Sequence, residues 1–187
     1  MPALSGDWIL GFKSGRNNSI KTMRPGSTSV VRNFIFGVED SLVSTVGLLS
    51  GVAITGTSRN YVILTGTILI FVEAFSMAVG SILSEHSAEE YVKRKEIAIK
   101  NSVKGGLIMF SSYFVSGFIP LSPYIFLKNN SAFSVSIAFS IVALGLLGVF
   151  SGKISGTNIF SNVLKMVLLG GVAIVVGVVV GNLVNVS

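Results

Sequence analysis

Five stretches of this chain, residues 33 to 54, 61 to 84, 105 to 127, 132 to 150 and 162 to 184, are apolar runs of about 20 residues that hold at most two charges each. That length is what a helix needs to cross a bilayer core of roughly 30 Å. Single strands cannot satisfy their backbone groups in lipid, and runs this continuous lack the period-two alternation of an outer-membrane barrel. The expected fold is therefore an all-α integral membrane protein with five transmembrane helices. Composition agrees: 50% of the residues are hydrophobic and 12% are charged, against about 25% charged in soluble proteins. With no cysteine and one histidine, disulfides, zinc-thiolate sites and cysteine nucleophiles are excluded.

Residues 1–30 read as a polar N-terminal tail ahead of a transmembrane domain over 31–187. The tail is rich in Gly, Ser and Asn and has no apolar run long enough for a secretory signal. Its cluster Trp8, Ile9, Leu10 and Phe12 beside Lys13 and Arg16 is assigned no function. Of the 14 Lys and Arg residues, twelve fall on one side of the expected topology: Lys13, Arg16, Lys21, Arg24, Arg32, Lys93, Arg94, Lys95, Lys100, Lys104, Lys153 and Lys165. Only Arg59 and Lys128 fall on the other. Cytoplasmic loops carry the excess of positive residues, so the N-terminus is expected in the cytoplasm and the C-terminus on the opposite side. The net charge of +6 is then a topology signal, and no nucleic acid partner is expected.

Small residues four apart, Gly47 and Gly51, Ser76 and Gly80, Gly148 and Gly152, Gly177 and Gly181, mark places where helices approach closely. A five-helix subunit with such stripes is expected to pair with a copy of itself as a homodimer.

The chemistry lies in the acids. Three of the eight acidic residues, Glu39, Asp40 and Glu73, lie inside apolar spans, where an Asp costs about 2.5 to 3.5 kcal/mol on the insertion scale and normally faces a polar cavity or a partner. At 1.5 Å per residue, Asp40 lies about 9 Å, Met77 about 10 Å and Glu73 about 16 Å from the cytoplasmic boundary. Glu73 and Met77 share one helix face, while Asp40, Ser44, Gly47 and Gly51 form a small polar stripe on the antiparallel neighbour. Glu39 and Asp40 point about 100° apart, so Asp40 is the first choice for a site. Carboxylates with a thioether suit a divalent first-row metal such as Fe²⁺ or Mn²⁺ better than calcium or magnesium. Against this stand ordinary core packing for Met77 and structural burial for the acids, with Lys165 as the nearest basic partner.

A second acidic group follows the second span. If that helix continues, Glu85 and Glu89 share one face and His86 and Glu90 another, at spacings that let two side chains meet one ion. The plainer reading is a solvated helix with Glu89–Lys93 and Glu90–Arg94 pairs. Spans three to five hold no ionisable group in their interiors and read as scaffold, although Pro120 and Pro123 predict a break or kink near the far end of span three.

Together, Phe36-Gly37-Val38-Glu39-Asp40-Ser41-Leu42-Val43-Ser44-Thr45, Ala74-Phe75-Ser76-Met77-Ala78-Val79-Gly80, Glu90-Tyr91 and Ile119-Pro120-Leu121-Ser122-Pro123-Tyr124 resemble the vacuolar iron transporter family and its nodulin-like relatives over residues 31 to 184. The resemblance implies a five-helix subunit that dimerises, with a metal path at the interface built from the first two helices of each copy. It implies export of Fe²⁺, and often Mn²⁺, from the cytosol, in several members by proton exchange. Asp40 matches the family's first-span acid and Met77 its second-span methionine. Glu73 sits about one turn after the family's second-span acid, whose place is near Leu69. Iron-transporting members commonly insert a cytoplasmic helical domain between the second and third spans. Here about 20 residues join them, so Glu85, His86, Glu89 and Glu90 correspond at most to a remnant of its capture site.

The expected function is thus a transporter that exports Fe²⁺ or Mn²⁺ from the cytoplasm, with Asp40, Glu39, Glu73 and Met77 in the membrane and Glu85, His86, Glu89 and Glu90 at its mouth. No tightly bound cofactor is expected; the metal is substrate. The alternative left open is a non-transporting membrane module whose buried carboxylates serve assembly or a partner. No HExxH, nucleophile elbow or phosphate loop occurs, so no enzyme is expected.

Overall fold

The computed structural model describes residues 25–96, 98–127 and 131–185. The N-terminal cluster around Trp8, the basic residues Lys13, Arg16, Lys21 and Arg24, and Lys128 lie outside the described residues. Five helices follow in order: α1 (Pro25–Ile54), α2 (Arg59–Lys93), α3 (Lys100–Phe126), α4 (Ser131–Ser155) and α5 (Ile159–Asn185). All five are long and apolar enough to cross a membrane. Their connections are short, so neighbours in sequence run antiparallel. One end of the bundle, here called the basic end, carries Arg32, Lys93, Arg94, Lys95, Lys100, Lys104 and Lys153; Arg59 lies at the other.

The helices outrun the apolar spans because helix and hydropathy end for different reasons. Pro25 opens α1 eight residues before its span, in the first turn, where a missing N–H costs nothing. Through a polar stretch, α2 continues to Lys93 and ends only where Arg94 turns left-handed, with φ of 51°. Its 35 residues are about 50 Å long at 1.5 Å each, well beyond the bilayer core. Gly56 and Gly156 take positive φ just past α1 and α4, a conformation open to glycine without strain. At the start of α5 the Asn158 side-chain oxygen accepts from the backbone N–H of Phe160 (3.0 Å) and Ser161 (3.4 Å).

Of the break or kink predicted in span three, the break does not occur. α3 is one helix through both Pro120 and Pro123. The carbonyl of Ile119, whose usual donor would be Pro123, accepts instead from Ser122 Oγ at 2.9 Å, and Ser136 Oγ of α4 donates to the Pro120 carbonyl at 2.6 Å. The Ser122 hydroxyl thus takes up an acceptor that lipid would leave unpaired, and Ser136 ties α4 to α3. At the end of α3 the Arg59 guanidinium donates to the Tyr124 and Ile125 carbonyls, which ties α2 to α3 and neutralises orphan acceptors there.

α1 touches all four other helices, and its sequence explains how. Lipid gives no hydrophobic drive between helices, so close approach and hydrogen bonds must hold them. Gly47 and Gly51 meet Ala173 and Gly177 of α5, while Gly177 and Gly181 meet the carbonyls of Gly47 and Gly51. A Cβ on Gly51 would stand 2.6 Å from the Gly177 oxygen, closer than real contacts allow. Gly148 and Gly152 likewise let α4 approach Val163 and Ile159 of α5. The fourth stripe differs: Ser76 is exposed and nothing lies within 4 Å of a Cβ on Gly80. Serines 41, 50, 112, 116, 136 and 140 are buried, whereas Phe71, Phe75, Leu146, Leu168 and Val176 face outward.

Gly177→Ala should therefore lower the melting temperature of the detergent-solubilised protein, by the equivalent of about 1 to 3 kcal/mol typical of overpacking. Gly80→Ala should leave it within about 0.5 kcal/mol of wild type. Equal melting temperatures for both variants would show that α1 and α5 are not in glycine contact.

Candidate functional site

The acids sit where α1, α2 and α3 converge. Residues 33, 37, 40, 44, 47 and 51 recur on one face of α1. Gly37 packs on Met109 and Ser112 of α3 and Gly47 on Ala173 of α5, so Asp40 and Ser44 are held between two helix contacts. Asp40 and Glu73 lie within electrostatic reach of each other, and Asp40 acts on Glu39 from the adjacent position. All three acids are half-buried. Met77 is half-buried one turn from Glu73 on α2, toward the basic end.

The residue that sequence reasoning missed is Tyr113. It is fully buried in α3, a span read as scaffold, and its phenol lies close enough to feel both Asp40 and Glu73. Its hydroxyl shares a 2.7 Å hydrogen bond with Ser44 Oγ, and its backbone carbonyl accepts from Ser41 Oγ at 2.6 Å. Two serines of α1 thus fix the ring. The available signal was a lone phenol on a face of small and polar residues, Ser112, Tyr113, Ser116 and Gly117.

Lys165 does not serve as the basic partner. It is exposed on α5, and the two ion pairs among the described residues, His86–Glu90 at 3.4 Å and Lys93–Glu89 at 3.0 Å, involve neither it nor the buried acids. Like charges sharing a poorly solvated region raise each other's cost. Among the described residues no three His, Asp or Glu side chains form a ready-made metal cluster. Ligation between Asp40 and Glu73 would need Met77, the Ser44 or Tyr113 hydroxyl, water, or groups from a second copy.

The second acidic group is divided. His86 pairs with Glu90, at the spacing expected, and Glu89 pairs with Lys93 as in a solvated helix. Glu85 does not turn toward Glu89. It points between α1 and α3, where Ser29 Oγ donates to its Oε1. Arg94 leaves the helix and lies over the Tyr91 ring, 4.9 Å from its centre.

From Ser44 a groove of about 690 Å³ runs toward the end opposite the basic one, over Gly47 and Gly51, between Leu69 of α2 and Gly177 and Gly181 of α5.

The VIT family pattern matches residues 31–104 and 92–182. Two relatives are vacuolar iron transporter 1 of Tulipa gesneriana, 21% identical over 79% of this chain and 84% of that protein, and vacuolar iron transporter 1 of Oryza sativa subsp. japonica, 21% identical over 79% and 82%. An uncharacterized protein of Methanocaldococcus jannaschii is 35% identical over 41% of this chain and 42% of its own. The two plant alignments run over 207 residues, more than the 187 of this chain, so those relatives carry extra residues within the matched region. The two family matches meet at the α2–α3 connection.

Tyr113→Phe should cost about 1 kcal/mol, the worth of a typical hydrogen bond. A cycle with Ser44→Ala should show the two losses to be coupled, the double variant costing little more than either single one. Simple additivity in thermal melts would mean that the hydroxyl pair does not form.

Proposed function

Because the chain belongs to the VIT family, we propose that it transports a divalent first-row metal ion, Fe²⁺ or Mn²⁺, and exports it from the cytoplasm. The observation that supports this reading is that Glu73 of α2 lies within electrostatic reach of Asp40 of α1, and that neither is in an ion pair with a basic residue among the described residues. Iron is named in its plant relatives. Carboxylate oxygens with the Met77 sulfur one turn away give a donor set of intermediate softness, matched to those two ions. The metal is substrate, held only long enough to pass.

In this reading the basic end faces the cytoplasm, since positive residues are retained there. Metal arrives along the acidic face of α2, binds between Asp40, Glu73 and Met77 with Glu39 adding field, and departs through the groove that starts at Ser44. A carboxylate must lose its proton to hold the metal. Protons entering from the far side therefore compete the ion off, which is the physical basis for antiport. A second copy completes the path: the exposed face of α2, with Ser76 and Gly80 open between Phe75 and Val79, is the surface we assign to self-pairing.

Flux of Mn²⁺ into proteoliposomes tests the site. Asp40→Asn should reduce it by about 10- to 100-fold or more, a loss at least as large as that seen for groups that merely support metal ligands. Lys165→Ala should leave it within about twofold, as expected for a residue remote from the site. Undiminished flux in Asp40→Asn would remove Asp40 from the path. Absence of any flux in wild type, together with no stabilisation by metal, would favour the assembly module.

A further inference from the structure

α3 divides its residues between two faces. Ser102, Gly105, Met109 and Tyr113 are buried against the other helices, whereas Lys100, Lys104, Leu107, Ser111 and Val115 are exposed. The exposed set recurs every three or four residues and so forms one stripe along the helix. Within the bilayer that stripe suits lipid tails: Leu107 and Val115 are apolar, and Ser111 Oγ donates to the Leu107 carbonyl at 2.8 Å, which leaves its donor satisfied. The end of the stripe is different, because it carries two lysines one turn apart.

Their depth follows from the other end of the same helix. The Arg59 guanidinium, bonded to the Tyr124 and Ile125 carbonyls, is a charge that belongs at a boundary of the hydrocarbon core. From Tyr124 to Lys104 the helix runs about 30 Å at 1.5 Å per residue, which is the thickness of that core. Lys104 therefore stands where tails give way to headgroups, with Lys100 one turn beyond, and long basic side chains extend from such positions to the phosphates.

The chain itself does not neutralise these lysines. The two ion pairs among the described residues lie on α2 and involve neither. Arg94 and Lys95 add exposed positive charge where α2 ends, and Glu96 is the one acid between Arg94 and Lys104. Retention of positive charge on one side of a membrane needs basic residues in the connection, but does not need them to top a lipid-facing stripe. Self-pairing does not account for them either. A two-fold contact centred on this stripe would set the lysines of one copy against those of the other.

We propose that Lys100 and Lys104 form a binding surface for an anionic phospholipid, with its phosphate at the two ammonium groups and its tails along Leu107, Ser111 and Val115. Arg94 and Lys95 strengthen the field that draws the headgroup in. A zwitterionic headgroup brings its own cation, which the same charges repel, so the surface selects lipids of net negative charge. The surface does not depend on the metal site or on which way the chain crosses the bilayer.

Native mass spectrometry of the full chain in mixed micelles of phosphatidylglycerol and phosphatidylcholine counts the lipid retained. Wild type should keep phosphatidylglycerol in preference. Lys100→Gln and Lys104→Gln should each lower that preference about fivefold, the effect of one basic residue at an anionic surface. Lys104→Arg should keep it, and Lys153→Gln, at the same end but on α4, should leave it within about twofold. All four variants should melt with wild type in phosphatidylcholine alone. Equal retention of the two lipids by wild type would overturn the proposal, as would loss of the preference in Lys104→Arg. An equal fall in Lys153→Gln would also overturn it, by making the preference a property of net charge. Inorganic phosphate that displaces the lipid would make this a soluble-anion site instead. A changed oligomeric state in Lys104→Gln with lipid preference intact would make the stripe a contact between copies, and would equally sink the proposal.

Discussion

Two half-buried carboxylates from different membrane-spanning helices, within electrostatic reach of each other, set the terms for the rest of this molecule. Glu73 acts electrostatically on Asp40, and Coulomb energies grow as the effective dielectric falls. Either the surroundings keep these groups neutral or a positive ion comes to them. The protein offers no internal cation among the described residues. What it offers is a rigid frame: Gly37 against α3, Gly47 and Gly51 against α5, and Ser41 and Ser44 bonded to Tyr113. Each contact locates α1 relative to a neighbour, and α1 carries the acid.

The frame is held by forces suited to lipid. A soluble bundle would bury its large apolar side chains and expose its serines. Here Ser136 and Ser140 are buried and Phe160, Leu183 and Val184 are exposed. Glycine contact brings backbones within reach of dispersion forces, the Ser122 hydroxyl takes up the carbonyl that Pro123 leaves unpaired, and Arg59 takes up those at the end of α3. Stability and site geometry are thus linked, because the glycines that pack α1 on α5 also shape the floor of the groove leading from Ser44.

Much of this was legible in the sequence, for identifiable reasons. Charge-free runs of bilayer length report spans directly, so five helices could be read with no knowledge of their partners. The buried acids stood out because an ionisable group in an apolar run is costly. Helix ends were less legible: α2 runs to Lys93 and α1 starts at Pro25, since polar residues outside the bilayer remain good helix formers. The Gly47–Gly51 and Gly177–Gly181 stripes were visible, but spacing alone does not say that they meet each other, nor that Ser76 and Gly80 stay open. Tyr113 was missed because its importance is tertiary. The break read from the prolines fails for the same reason: Ser122 supplies the Ile119 carbonyl with the donor that Pro123 lacks. For Glu85, helical spacing suggested Glu89 as a partner, whereas the glycine at 105 drew it inward.

The central claim is that the Asp40–Glu73 pair is a standing cost in the absence of metal. The most direct measurement is the stability of the metal-free double variant Asp40→Asn, Glu73→Gln against metal-free wild type, in chelator at neutral pH. Removing two like charges from a poorly solvated site should raise the melting temperature. A lower one would mean that the carboxylates are already satisfied by neighbouring protein donors, and would contradict the account.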